Sequence, residues 1–276
     1  MRAILAIAQI EILIGIRNRW VVLGSVILFV FALILVLLGS APSGATRADG
    51  LTVIVASLAT LSVYLVPLIA LLLSFDAIAG EVDRGTLQLT LATSVSRGQV
   101  LYGKFLGHVV VLTIAVLFGY GIAGGIAYFI GQNTGVAGLI DLSRFMVTSI
   151  MLGAAFVAIG YVASASVRQT GTAAALAVAI WLFTVVLYDM ALLGGLLASS
   201  DGVFAKTLFP YLLVINPADA FRVFNMAAIE AGGASTGLAS TGSNLPFSPQ
   251  LAIISPFAWT FVALALSTYI LRRVQP

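Results

Sequence analysis

The sequence predicts an all-α integral membrane protein with six transmembrane helices, and three observations predict it. The 276 residues are 61% hydrophobic and only 8% charged, whereas a soluble domain carries about 25% charged residues. So few charges cannot clothe a water-facing surface, so lipid must solvate most of the chain. Six apolar runs, Trp20–Gly39, Leu51–Phe75, Phe105–Ile130, Phe145–Val167, Thr172–Leu193 and Leu251–Leu271, have the roughly 20 residues that cross a hydrocarbon core. Finally, Lys and Arg divide nine against four between alternate connections. Arg2, Arg17, Arg19, Arg84, Arg97, Lys104, Arg168, Arg272 and Arg273 fall on one side, and Arg47, Arg144, Lys206 and Arg222 on the other. The positive-inside rule then places both termini in the cytoplasm, and an even number of spans agrees in putting them on one side.

The segment before the first run, Ala3–Arg19, is expected to be a cytoplasmic helix lying on the membrane, although Arg2, Gln9, Glu11 and Arg17 do not fall cleanly on one face. The first run is too long for a signal peptide and lacks a small-residue cleavage pattern. Pro67 and Pro256 are expected to kink spans two and six. Gly121 and Gly125 form a small-residue pair whose plain reading is close packing between helices. The whole chain, 1–276, reads as one membrane domain without an internal repeat. It has no cysteine, so disulfides, thiolate metal sites and cysteine nucleophiles are unavailable.

The connection between spans two and three concentrates Asp76, Glu81, Asp83, Arg84, Arg97 and Lys104 in a chain that otherwise avoids charge. Thr86 to Ala92 reads as a short helix, with Leu87 and Leu91 four apart on one face and Leu89 elsewhere. A solvated positive-inside loop explains the charges but not three closely spaced leucines. A mixed apolar and charged patch at the membrane surface suits a soluble partner.

The run Gly80-Glu81, then Arg84-Gly85-Thr86-Leu87, Ser96-Arg97 and Gly103-Lys104 resembles the coupling region of ATP-binding-cassette (ABC) exporter permeases of the six-span class. Within that class, chain length and the wording of this loop most resemble the permeases of the system that matures the copper centres of nitrous oxide reductase. The resemblance implies an N-terminal elbow helix, a cytoplasmic coupling helix, and a re-entrant or amphipathic region between spans five and six. It implies ATPase coupling through Glu81, Asp83, Arg84, Gly85, Thr86, Leu87, Leu91, Arg97 and Lys104, with Arg168 in the second cytoplasmic loop. It further implies two copies of a separate ATPase subunit carrying ATP and Mg, a second permease copy forming a homodimer, and a periplasmic partner protein. The location implied is the cell inner membrane, with lipid around the spans. An exporter of drugs, lipids or polysaccharide is the alternative within the class. No nucleic-acid partner is expected.

Other patterns argue against chemistry in this chain. Gly98 to Phe105 matches a phosphate loop until its last position, where Phe105 replaces the Ser or Thr that ligates Mg²⁺, and no strand precedes it. Gly233-Ala234-Ser235-Thr236-Gly237 matches a nucleophile elbow, but lies in a Gly/Ser/Thr-rich outer loop. The single histidine, His108, falls near the cytoplasmic end of span three, with Lys104 one turn away to disfavour a cation. Met146, Met151, Met190 and Met226 are scattered, so no metal or copper path is expected. An intramembrane enzyme needs converging titratable groups, and His108, Asp189 and Glu11 lie in three segments at different expected depths. A channel needs a polar pore lining, which these spans lack. No catalytic residue, metal site or cofactor is therefore expected here. Asp189 is read as interfacial, at the outer end of span five, and Arg144 as a local ion-pair partner of Asp141.

The long outer segment, Leu193 to Gln250, holds an apolar stretch, Val203–Ile215, too short to span and suited to a re-entrant or interfacial helix. Asn216-Pro217 reads as the N-cap and first residue of a helix reaching Gly232-Gly233, with Asp219 in its first turn. Phe221, Phe224 and Ala228 share its apolar face, while Asp219, Arg222 and Glu230 share a polar face expected to point outward as a partner or gate surface. Ser235–Ser248 reads as a linker.

Overall fold

The computed structural model describes residues 2–38, 50–92, 95–129, 136–198, 202, 204–231 and 246–273, and among these the regular structure is all helix, with no strand. The nucleophile-elbow pattern and most of the Ser235–Ser248 linker lie outside the described residues, as do the helix stop at Gly232-Gly233 and the side chain of Glu230. Six helical stretches are long and apolar enough to cross a membrane: Arg19–Leu37, Ile54–Asp83, Arg97–Phe129, Gly138–Ser166, Thr170–Ala198 and Pro249–Arg273. The protein is thus a multi-pass membrane protein. Spans two and four carry the core, 67% and 61% buried within the chain, whereas span five is 17% buried and presents most of its surface to its surroundings.

Helix α1, Arg2–Arg17, and α2, Arg19–Leu38, are separated at Asn18, whose side-chain oxygen accepts the N–H of Trp20 at 2.9 Å and so starts the second helix. Span two begins as α3, Gly50–Ser74, and continues through Pro67 without ending there. The chain then turns into two short helices, α4, Ala79–Asp83, and α5, Thr86–Leu91. Span three comprises α6, Arg97–Val116, a π-helical turn at Leu117–Gly121, and α7, Ile122–Phe129. Its start lies eight residues before the first residue the hydropathy pattern suggests. A capping box forms there: Ser96 Oγ accepts the N–H of Gln99 at 3.3 Å, and Gln99 Oε1 accepts the N–H of Ser96 at 2.9 Å.

Span four is α8, Val136–Ser166. Span five is α9, Thr170–Trp181, a π-helical stretch at Leu182–Leu187, and α10, Tyr188–Ala198. Between spans five and six, a π turn at Phe204–Leu208 leads into α11, Phe209–Ile215, and α12, Pro217–Ala231. Span six is a 3-10 turn at Pro249–Ile253 followed by α13, Ile254–Arg273. Pro256 therefore sits in the first turn of α13, where its missing N–H removes no intrahelical bond, and not at an interior kink.

Lipid gives helices no hydrophobic reason to associate, so close packing at small residues decides which helices meet. An added Cβ at Gly153 would stand 2.1 Å from Leu112, and one at Gly160 would stand 1.9 Å from Ser74 Oγ. These two glycines bring α8 against spans three and two. The same holds where α1 crosses α6: a Cβ at Gly103 would stand 2.8 Å from Ile7, and one at Gly107 would stand 2.6 Å from Glu11 Cβ. Gly121 and Gly125 are not used this way, since Gly125 has nothing within 4 Å and Gly121 only Met146 at 3.9 Å.

Candidate functional site

The loop between spans two and three is built on a backbone reversal at Gly85, whose φ of 69° is the conformation a side chain disfavours. Before it, the turn into α4 is fixed by Ser164 of span four, whose hydroxyl accepts the N–H groups of Ile78 and Ala79, each at 2.9 Å. After it, α5 turns one face to the membrane domain and one away. Leu87 is 3% exposed and Leu91 packs on the core, whereas Leu89 is 72% exposed. The i, i+4 pair that sequence reading assigns to a partner is therefore the pair the protein buries, and the apolar side chain left outside is Leu89.

Most charges of the loop are tied inward. Asp83 Oδ2 accepts the N–H and the hydroxyl of Thr170 at 3.2 and 3.0 Å, capping α9 from another segment. Arg97 donates to the carbonyls of Leu271 and Arg272 at 2.8 and 2.9 Å, closing the C-terminal end of span six. Arg84 approaches Asp76 only to 4.0 Å and is largely exposed. Thr86 and Gln88 lie exposed beside Leu89, as does Arg168 in the next loop.

Lys104 is not at the surface. It is 6% exposed, under α1, with its ammonium in contact with Glu11 and 2.8 Å from Glu81. Glu11 also meets His108 Nε2 at 3.4 Å, and His108 Nδ1 shares a hydrogen bond of 2.8 Å with Tyr161 of span four. Burial alone would raise the Glu11 carboxyl, but the His108 hydrogen bond and the Lys104 charge outweigh it and bring it down to about 2. The chain therefore does bring Glu11 and His108 together, contrary to the expectation that they lie apart at different depths. Asp189 stays at the other end of the molecule. The signal in the sequence was Gly103-x-x-x-Gly107, which invites α1 onto span three at the level of Lys104 and His108. A cavity of about 140 Å³ opens beside this cluster, lined in part by Asn18, Asp76, Glu81 and Arg84.

A second polar cluster forms at the opposite end of the spans. Asn216 caps α12, accepting the N–H of Ala218 at 3.1 Å and donating to Thr184 O and to Asp219 Oδ2. Arg222 grips Asp189 of span five with two hydrogen bonds, 3.1 and 2.7 Å, and reaches Asp219 at 2.5 Å. Phe221 is fully buried, its ring centroid 6.2 Å from that of Phe145, and Phe224 is half-buried. Asn225 exchanges hydrogen bonds with Thr148 of span four.

The described part of the polar face of α12, Asp219 and Arg222, thus does not point outward as expected. Asp219 is 2% exposed and faces inward with Arg222, because Asp189 inside span five demands a cation. Asp189 is thus the partner of Arg222 in a part-buried salt bridge, its side chain still 32% exposed, as an interfacial position allows. Burial raises the Asp219 carboxyl to about 6, with Arg222 opposing and Asp189 adding to the rise. The hydrogen bonds and charges of the two carboxylates hold the Arg222 guanidinium above its ordinary range, against its burial.

A family model described as "ABC-2 family transporter protein" matches residues 5–275. A "Probable ABC transporter permease protein NosY" of Stutzerimonas stutzeri is 39% identical over 274 residues, covering 99% of each chain. A protein of the same description from Pseudomonas aeruginosa is 37% identical over 274 residues with the same coverage.

Proposed function

This chain belongs to the ABC-2 transporter family, and on that premise we propose that it is the permease through which a separate ATPase drives a conformational change across the cell inner membrane. Both termini lie in the cytoplasm, two copies pair as a homodimer, and each copy receives one ATPase subunit. ATP and Mg²⁺ belong to that subunit, and no cofactor is assigned to this chain. The likeness to proteins described as NosY carries the proposal further, to assembly of the copper site of nitrous oxide reductase with a periplasmic partner protein.

One observation carries the docking part of this reading. The charges of the loop at Asp83, Arg97 and Lys104 are bonded to the membrane domain, while Thr86, Gln88 and Leu89 project from it on a helix set by the Gly85 reversal. Exposed leucine ringed by polar groups is the composition of a small protein interface.

The test is co-purification of the ATPase with Leu89→Asp and Leu87→Ala variants that insert normally. Leu89→Asp is expected to lose the ATPase, because a charge enters an apolar contact, whereas Leu87→Ala keeps it. Wild-type co-purification with Leu89→Asp refutes docking on this face.

A further inference from the structure

We infer that Glu81 is an exchangeable partner, bound to Lys104 in the state described above and passed to Arg84 when the ATPase draws the loop outward, so that loop movement unlocks the joint between the loop and span three. The inference rests on the coupling reading above and deepens it: Glu81, Lys104 and Arg84 act as positioning residues within the membrane domain and not as docking contacts.

Four observations support the exchange. First, Lys104 holds two carboxylates, so it can release one and remain neutralised. Glu11 is the fixed one, with its Cβ pressed against Gly107 and its other oxygen near His108. Second, Glu81 is held through one oxygen alone: Oε1 meets Lys104 at 2.8 Å, while Oε2 is buried without a hydrogen-bond partner.

Third, room exists for the carboxylate to move. Glu81 lines the cavity of about 140 Å³ that Asp76, Arg84 and Lys104 also line, and it rides on a five-residue helix that ends at the Gly85 reversal. Fourth, Arg84 is poised to receive it. Its guanidinium lies across Gly80, with both terminal nitrogens 3.0 Å from where a Cβ would stand, and its pairing with Asp76 is loose at 4.0 Å.

Simple rupture of the Lys104–Glu81 pair would leave a partly buried carboxylate uncompensated, which is the expensive way to break an ion pair. Exchange to Arg84 avoids that, since Lys104 keeps Glu11 while Glu81 gains a planar guanidinium that can hold a carboxylate in fork geometry. Two arrangements of similar energy are what a switching element requires.

The test uses the permease with its ATPase, reconstituted in lipid nanodiscs. Arg84→Ala removes the receiving partner at an exposed position and so does not threaten folding. ATP hydrolysis by the complex is expected to fall on the order of ten-fold, with the ATPase still co-purifying, thermal stability unchanged, and Arg84→Lys recovering part of the activity. Gly80→Ala, whose Cβ displaces the guanidinium, should reproduce the loss, and the double variant should lose no more than either single one. Unchanged hydrolysis in Arg84→Ala overturns the exchange, and so do additive losses in the double variant. Lost co-purification in Arg84→Ala overturns it too, by making Arg84 a docking residue. If the wild-type chain binds no ATPase, the coupling reading itself fails and takes the exchange with it.

Discussion

Asp83 and Thr170 join the loop between spans two and three to the one between spans four and five: the carboxylate leaving α4 accepts both the N–H and the hydroxyl of the first residue of α9, at 3.2 and 3.0 Å. An N-cap is usually supplied by the residue preceding the helix. Here it comes from 87 residues away, so the start of span five is set by the position of the first loop. Displacement of that loop therefore acts directly on the span that is least buried within the chain.

Asp83→Ala should loosen this connection at modest cost, about 1 kcal/mol, as for a lost helix cap. The expected signature is a small fall in thermal unfolding temperature with faster hydrogen exchange at the N–H of Thr170 and its neighbours. Asp83→Asn, which retains one acceptor, should restore most of the protection. Unaltered exchange in Asp83→Ala would show that the cap is not populated.

Gly107→Val should prevent α1 from seating on span three, because the added atoms meet Glu11 Cβ and the Ala8 carbonyl at 2.6 and 2.9 Å. Overpacking of this kind costs about 1–3 kcal/mol, and here it also separates Glu11 from Lys104. Gly125→Val, in open space, should be neutral. Yield of folded protein in detergent and its unfolding temperature would measure both. Equal behaviour of the two variants would contradict the packing described.

The six spans were legible in the sequence because period and length suffice for a helix in lipid. The boundary of span three was legible too, in Ser96-x-x-Gln99, but hydropathy passes over a polar first turn. What composition cannot show is which charges meet. Lys104 reads as a loop cation until α1 is laid over it, and Leu87 with Leu91 reads as a docking face because the spacing says that they share a side without saying which side. Arg222 and Asp219 read differently for a related reason: an amphipathic pattern at the membrane surface normally sends charge to water, but Asp189 on span five offers a partner that lies 33 residues away.

Lys104→Met should destabilise the protein more than Glu11→Gln. The first leaves Glu11 and Glu81 facing each other without a cation, which costs about 3–5 kcal/mol; the second leaves Lys104 paired to Glu81. The Glu11→Gln/Lys104→Met double variant should recover part of the loss, and a thermodynamic cycle on chemical unfolding would measure the coupling. The sign with pH follows from a carboxyl lowered from 4.5 to about 2. Glu11 contributes stability above pH 4.5, and that contribution is lost as pH falls through about 2. Additive single effects would mean that the pair is not formed.

Gln88→Cys and Ser248→Cys, placed singly in this cysteine-free chain, should react with an impermeant thiol reagent from opposite sides of the membrane. Gln88→Cys is expected to label from the cytoplasm and Ser248→Cys from the outside, since both side chains are exposed. Labelling of both from one side would refute the orientation drawn from Lys and Arg.

The Arg222 cluster should make its end of the protein sensitive to pH near 6. Asp219 is almost fully buried, and its carboxyl is raised from 3.8 to about 6, mainly by that burial. A raised carboxyl favours the protonated form in the folded state. Its contribution to stability is therefore fully present below pH 3.8 and lost as pH rises through about 6, for a total of about 3 kcal/mol. Unfolding temperature measured between pH 4 and 7.5 should fall with rising pH across this window, and Asp219→Asn should flatten that part of the profile. Arg222→Ala acts differently. It leaves Asp189 and Asp219 without their shared cation, so the loss should be several kcal/mol at neutral pH and should shrink on acidification as one carboxyl takes up a proton. Asp189→Asn should be milder than Arg222→Ala, because Asp219 still holds the guanidinium at 2.5 Å. A loss in Arg222→Ala that does not change with pH would mean that the two carboxylates do not share the site.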